Sequence, residues 1–182
     1  MRFLRLVSFL LLLGVLDKAK ARTKHIVAFR NGLRTGFKDS VFVTNEWPIE
    51  NGQPIVWLKS FGSGTIFLTG EVSSYMQGEY RSLASKFDWS DKVDICGTSQ
   101  GGSWVDVAQE LVRKSFLPDE SCPVKAGNYT LQDPVKPIEM HVLDEIDDYY
   151  EYKINAEIGY SESHQILSAT YSIQFTGDFE LD

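Results

Sequence analysis

The sequence predicts an all-β fold, an antiparallel sandwich or cup of about eight short strands with one short helix inserted between the two cysteines. Apolar residues recur at every second position in several stretches, which is typical of strands with one buried face. Only one stretch repeats apolar residues at helical spacing. No internal repeat and no low-complexity linker divides the chain, so we expect a single domain.

The N-terminal 21 residues have the features of a secretory signal peptide. Arg2 and Arg5 form a short positive region, 6–16 is an apolar run, and 19–21 is an A-x-A cleavage pattern. The apolar run is too short to span a bilayer. A buried N-terminal helix is the alternative. We therefore expect residues 22–182 to form the domain of a secreted, extracellular protein without stable membrane insertion.

The charge of the chain disfavours nucleic acid as a partner. The chain has 18 basic and 25 acidic residues. Without residues 1–21, which hold four basic residues and one acidic residue, 14 basic and 24 acidic residues remain, a net charge of −10. A surface this acidic repels nucleic acid and anionic membranes.

The first half of the chain predicts a series of short strands. We predict strands near 40–45, 54–60, 64–70, 79–85 and 91–96. Asn51-Gly52 and Gly62-Ser63-Gly64 are expected to form hairpin turns between the early ones.

The helix is predicted over 103–116, SWVDVAQELVRKSF. Its apolar residues recur at steps of three and four: Trp104, Ala108, Leu111, Val112 and Phe116. Ser103 with Asp106 resembles a capping box at the start, and Pro118 ends the helix.

The last third of the chain predicts further strands near 128–133 and 138–142 and a closing hairpin. Apolar residues alternate with polar ones over 150–158 and again over 166–175. The polar stretch GYSESHQ lies between these two runs, which is the pattern of an antiparallel hairpin with its turn.

The two cysteines predict one disulfide. Cys96 and Cys122 both remain after signal removal, and an even pair in an oxidising compartment usually forms a bond. Two lone thiols do not make a zinc site, and no histidine is near either in sequence. We also expect no other bound metal and no cofactor. Asn128 begins an N-glycosylation sequon, and its strand pattern directs it to solvent.

A short motif offers a different function. Residues 97–101, GTSQG, match the G-x-S-x-G pattern of a hydrolase nucleophile elbow, with Ser99 as the nucleophile. Asp133, followed by His141 or His164, would complete the order of a triad. The fold argues against it, because an elbow belongs to a parallel sheet with crossover helices and only period-two strands follow here. A serine hydrolase stays open as an alternative.

The stretch from Cys122 carries a resemblance to a known family. Residues 122–133, CPVKAGNYTLQD, resemble the C-P-x-K-x-G-x-Y-x-L signature of the ganglioside-activator family in the ML lipid-recognition superfamily, which the insect chemosensory protein B group shares. The strand end VDIC at 93–96 resembles the V-D-x-C of the insect group. The closing hairpin over 149–177 is similar to that of the activator family. Having only two cysteines favours the insect branch.

This resemblance implies a cup of antiparallel strands around an apolar cavity. Such proteins bind a lipid or another hydrophobic small molecule and catalyse nothing. The implied role is a non-enzymatic carrier in pheromone or contact perception, with a sensory receptor or channel as a possible partner. The expected ligand-binding residues are inward side chains of the strands and one helix face: Ile66, Leu68, Trp104, Leu111, Tyr150, Tyr152, Ile154, Leu167, Tyr171 and Ile173.

One alternative remains for these residues. They can form an ordinary solid core, and the protein would then be an extracellular interaction module. Trp47, Trp57 and Trp89 are further candidates for the mouth of the cup, although their spacing does not decide between mouth and core.

Overall fold

A computed structural model describes residues 22–36, 39–43, 52–99, 102–117, 121–131, 135–142 and 151–179. The elements are β1 (Arg22–Thr35), β2 (Val41–Val43), β3 (Pro54–Trp57), β4 (Phe67–Met76), β5 (Glu79–Phe87), β6 (Val93–Asp94), α1 (Trp104–Phe116), β7 (Gly127–Thr130), β8 (Val135–Val142), β9 (Tyr152–Gly159) and β10 (Gln165–Phe179). The predicted signal peptide and the predictions for Asn51, Trp47, Tyr150, Asp133 and Pro118 lie outside the described residues.

The strands form two antiparallel sheets. The larger has seven strands in the order β5-β4-β9-β10-β1-β8, with β6 also paired to β4. The smaller has the order β2-β3-β7. The predicted all-β antiparallel fold with one helix between the cysteines is confirmed.

Alternation divides the large sheet into two faces, which we call the inner face, toward α1, and the outer face. Along β9, Tyr152, Ile154 and Ala156 are buried, whereas Asn155 is exposed. The same division continues across the sheet, because Ile154 pairs with Val72 of β4 and with Tyr171 of β10. The register therefore builds one apolar layer from three separate stretches of sequence.

Helix α1 packs on the inner face and also reaches the small sheet. Ser103 is its N-cap and forms a capping box with Asp106, as predicted. At its other end, the indole N–H of Trp57 in β3 donates to the carbonyl oxygen of Phe116 over 3.0 Å. Tyr171 of β10 donates to the hydroxyl of Ser115 over 3.1 Å. The helix thus joins the two sheets through a shared core.

The closing hairpin is confirmed, and two other expectations are corrected. The turn at 62–64 is not a hairpin, because β3 and β4 belong to different sheets. Gly64 has a left-handed φ of 71°, and its N–H donates to the carboxylate of Asp94 over 2.7 Å. Strand β4 runs past the predicted end to Met76, where Gln77 and Gly78 both adopt positive φ in the hairpin turn to β5.

Strand β1 is the element that the sequence pattern does not predict. Its pairing with β10 shifts register between Arg30 and Gly32, so Ile26, Ala28 and Leu33 do not follow one unbroken alternation. Arg30 takes an inner-face position where an apolar residue would be expected. Among the described residues, no helix is long and apolar enough to cross a membrane.

Candidate functional site

The described ligand-binding candidates come together in one hydrophobic core. Eight of the ten are buried, with exposed fractions of 0–4%: Ile66, Leu68, Leu111, Tyr152, Ile154, Leu167, Tyr171 and Ile173. Trp104 is half-buried, and Tyr150 lies outside the described residues. The eight belong to one continuous hydrophobic core. That they line a cavity stays a prediction.

An aromatic cluster closes one end of this core. The ring of Trp104, in the first turn of α1, lies 4.7 Å from that of Tyr152 and 6.0 Å from that of Phe175, measured between centroids. The Tyr152 and Phe175 rings meet edge to face at 5.6 Å. Trp104 is half-buried, so the inner face approaches solvent at this cluster.

A buried hydroxyl lies beside the aromatic cluster. Ser74 of β4 pairs with Tyr152 of β9 in the sheet register and is 2% exposed. Its Oγ has no hydrogen-bond partner among the described residues. A buried hydroxyl without a partner costs about 1–3 kcal/mol, so it is uncommon in a folded core.

Two more polar groups lie within the apolar layer. The guanidinium of Arg30, on a side chain that is 4% exposed, lies over the ring of Phe116 at 5.4 Å. Ser115 accepts the hydrogen bond from Tyr171. Sequence reasoning missed Arg30, Ser74 and Ser115, because period-two patterns are recognised by their apolar members. One sequence signal points to Ser115: it follows Leu111 by four residues, which places both on the same face of the helix.

The environment of Ser99 differs from that of a nucleophile elbow. Its hydroxyl donates to the carboxylate of Asp106 over 2.9 Å. In an elbow the serine turns directly from strand into helix, whereas α1 begins only at Trp104. His164, one of the two predicted bases, lies exposed in the hairpin turn, with its ring near that of Tyr160. The side chain of His141 is outside the described part of the chain.

The disulfide is formed as predicted. Cys96 and Cys122 are bonded, with their Cα atoms 5.7 Å apart. Asp94 fixes the preceding turn, because its carboxylate accepts the N–H of Cys96 over 3.0 Å and the hydroxyl of Ser63 over 2.5 Å. The side-chain amide of Gln109 reaches from α1 to the carbonyl of Asp94 over 2.7 Å. The bond therefore anchors the segment that carries the helix.

The remaining predictions concern the surface. Asn128 is exposed on β7, as the alternation predicted. Trp57 is 1% exposed and lies under the C-terminal end of α1, so it belongs to the core and not to a mouth. Trp89 is half-buried in the turn after β5. Within the described ranges, no group of three or more His, Cys, Asp or Glu residues could hold a metal ion.

Comparison with known proteins gives no family assignment. No protein-family model matches the chain, and no curated protein matches it. The function proposed below therefore depends on the resemblance of short motifs, on the fold and on the arrangement of side chains.

Proposed function

We propose that the protein is a secreted, non-enzymatic carrier of a lipid or another hydrophobic small molecule, acting in pheromone or contact perception. The resemblance of residues 93–131 to ML and chemosensory protein B sequences supports this. The disulfide, the predicted signal peptide and the exposed Asn128 sequon support extracellular action. A sensory receptor or channel would take the ligand from the carrier.

The observation that carries the proposal is the position of Ser74. An unpartnered hydroxyl at one end of an apolar layer is complementary to a molecule with a long apolar chain and one polar head. The head would bond to the Ser74 hydroxyl and offset its desolvation. The chain would lie between α1 and the inner face, where each buried CH₂ adds about 0.8 kcal/mol.

Uptake requires the cover of the inner face to move. The inner side chains are already buried against α1, so a ligand has to displace some of these contacts. Trp104 is the natural site of access, since it is the half-buried member of the aromatic cluster. Binding would select a conformation in which the first turn of α1 has moved away from Tyr152.

A pair of neighbouring serines tests the proposal. Ser74→Ala removes the unpartnered hydroxyl on the inner face, and Ser73→Ala removes its neighbour, which pairs with Lys153 on the outer face. We expect Ser74→Ala to weaken binding of the fluorescent fatty acid cis-parinaric acid about fivefold and Ser73→Ala to leave it unchanged. The thermal midpoint of Ser74→Ala should stay level or rise, because a buried polar group without a partner is removed.

Two results would overturn this proposal. One is the absence of cis-parinaric acid uptake by the wild-type protein together with no lipid retained in native mass spectrometry of protein from its source. The other is an equal loss of affinity in both serine variants. A fluorophosphonate probe tests the hydrolase alternative separately: labelling that Ser99→Ala abolishes would show that the protein is not only a carrier.

A further inference from the structure

A trough of about 800 Å³ lies on the outer face of the large sheet. It crosses β5, β4, β9, β10 and β1, and none of the nine described ligand-binding candidates lines it. One row of its floor runs in register from Glu71 through Asn155 and Thr170 to Gly32. The volume is within the range of small-molecule sites.

The shape of the trough follows from side-chain size. Gly32 ends the central row without a side chain, and Ser168 and Thr170 are short. Longer charged residues stand on either side of them: Lys86 pairs with Glu71 over 3.2 Å toward β5, and Arg34 lies at the β1 end. Short side chains between long ones leave a depression across the middle of the sheet.

The hydrogen-bonding groups of the floor define the ligand chemistry. The hydroxyl of Thr170 donates to Oδ1 of Asn155 over 3.0 Å, and no acceptor for the amide NH₂ of Asn155 occurs among the described residues. Glu157 accepts from Gln165 over 3.0 Å and retains further acceptor capacity. The floor thus offers donors and acceptors side by side.

The charges of the trough argue against a strongly ionic ligand and against an apolar one. The carboxylates of Glu71, Asp88 and Glu157 are interspersed with the cations of Lys86 and Arg34, so a ligand of either charge meets repulsion as well as attraction. An apolar ligand would desolvate these groups without compensation. A neutral molecule with many hydroxyls can both donate and accept along the whole floor.

Exposed aromatic residues occupy the same face of the sheet. The rings of Tyr75 and Tyr80 lie 5.0 Å apart, and the two residues are 42% and 44% exposed. Tyr75 lies four residues along β4 from Glu71, a distance of about 13 Å on the same face. An exposed aromatic ring presents a flat apolar surface, on which the C–H face of a sugar ring can stack.

We propose that the outer-face trough binds a neutral oligosaccharide, with Asn155 bonding its hydroxyls at the centre and Tyr75 stacking on a sugar at one end. This site goes beyond the proposed carrier function, because it uses the opposite face of the same strands. A protein with both sites would hold a hydrophobic ligand inside while it binds a glycan on its outer surface.

A panel of neutral oligosaccharides tests the proposal. Tri- to pentasaccharides of glucose, mannose, galactose and N-acetylglucosamine are titrated into the full-length mature protein up to about 10 mM. We expect saturable binding of at least one of them by isothermal calorimetry, and a loss of about fivefold or more in affinity for Asn155→Ala. Gln174→Ala, an exposed outer-face residue outside the trough, is the control and should bind as the wild type does.

Three results would overturn the proposal. They are no binding of any member of the panel, binding that Asn155→Ala leaves intact, and binding that weakens steeply with added salt, which indicates a charged ligand. The uptake of cis-parinaric acid by Asn155→Ala should equal that of the wild type. A failure of the oligosaccharide site is thereby distinguished from a failure of the carrier function.

Discussion

The inner and outer faces of the large sheet are built from the same strands, whose successive residues point to opposite faces. Ile154 lies buried between Val72 and Tyr171. The next residue of β9, Asn155, lies between Glu71 and Thr170 in an open trough. The inner face has a cover, helix α1, and the described outer face has none. Identical backbone pairing therefore supports two surfaces of opposite chemistry, and each requires its own test.

The largest expected effect comes from placing one charge on each face. Ile154→Asp buries a carboxylate in the core, whereas Asn155→Asp adds one at the surface. We expect Ile154→Asp to lower the free energy of unfolding by more than about 4 kcal/mol, which would leave little folded protein. Asn155→Asp should change it by less than about 0.5 kcal/mol. Urea unfolding followed by circular dichroism measures both, and comparable losses would contradict the assignment of the two faces.

The second prediction concerns the cover of the inner face. The disulfide joins two residues 26 positions apart in sequence, and α1 lies between them. Replacing both Cys96 and Cys122 by serine should lower the free energy of unfolding by about 3–4 kcal/mol. It should also increase the binding of the dye ANS, because a loosened helix exposes the inner apolar layer. Unchanged ANS fluorescence in a folded double variant would show that other contacts hold the helix in place.

Much of this comparison could be predicted from the sequence, and the reason is periodicity. The alternation in β9 and β10 assigned Ile154 and Tyr171 to the buried face, and the spacing from Trp104 to Phe116 located the helix. Ser103 with Asp106 gave its first residue, because a capping box is a local arrangement. These features could be predicted because each depends on residues that are close together in the sequence.

The unpredicted features depend on contacts between distant residues. Strand β1 was missed because its bulge at Arg30 interrupts the pattern and its pairing to β10 is long-range. In the sequence Ser74 is an ordinary polar residue. Only the pairing of β4 with β9 shows that it lies beside Tyr152. The trough depends on which short side chains become neighbours across five strands, and that requires the strand order, which the sequence pattern does not supply.

The smallest predicted effect is a dependence of stability on pH, which we expect from the outer face and not from the inner face. No aspartate or glutamate is among the buried residues that the structure describes, so ionised carboxylates belong to the surface. Asp88, at the edge of the trough, accepts both the hydroxyl and the N–H of Ser90, the latter over 2.7 Å. These bonds, with the hydroxyl contributing most, lower the pKa of Asp88 below its usual value.

The sign of this contribution follows from the direction of the shift. Because the pKa of Asp88 is lower in the folded protein, its stabilisation is complete above the ordinary aspartate value of about 3.9 and is lost as the pH falls through the folded pKa. Ser90→Ala should raise the pKa of Asp88 in a carbon-13 NMR titration and reduce stability slightly at pH 7 and less at pH 3. Ser168→Ala, which removes a hydroxyl of the outer-face trough, should leave that pKa unchanged. If Ser90→Ala lowers the stability equally at both pH values, the hydroxyl stabilises the turn independently of the charge on Asp88. The acid sensitivity of the outer face would then have to arise from other groups.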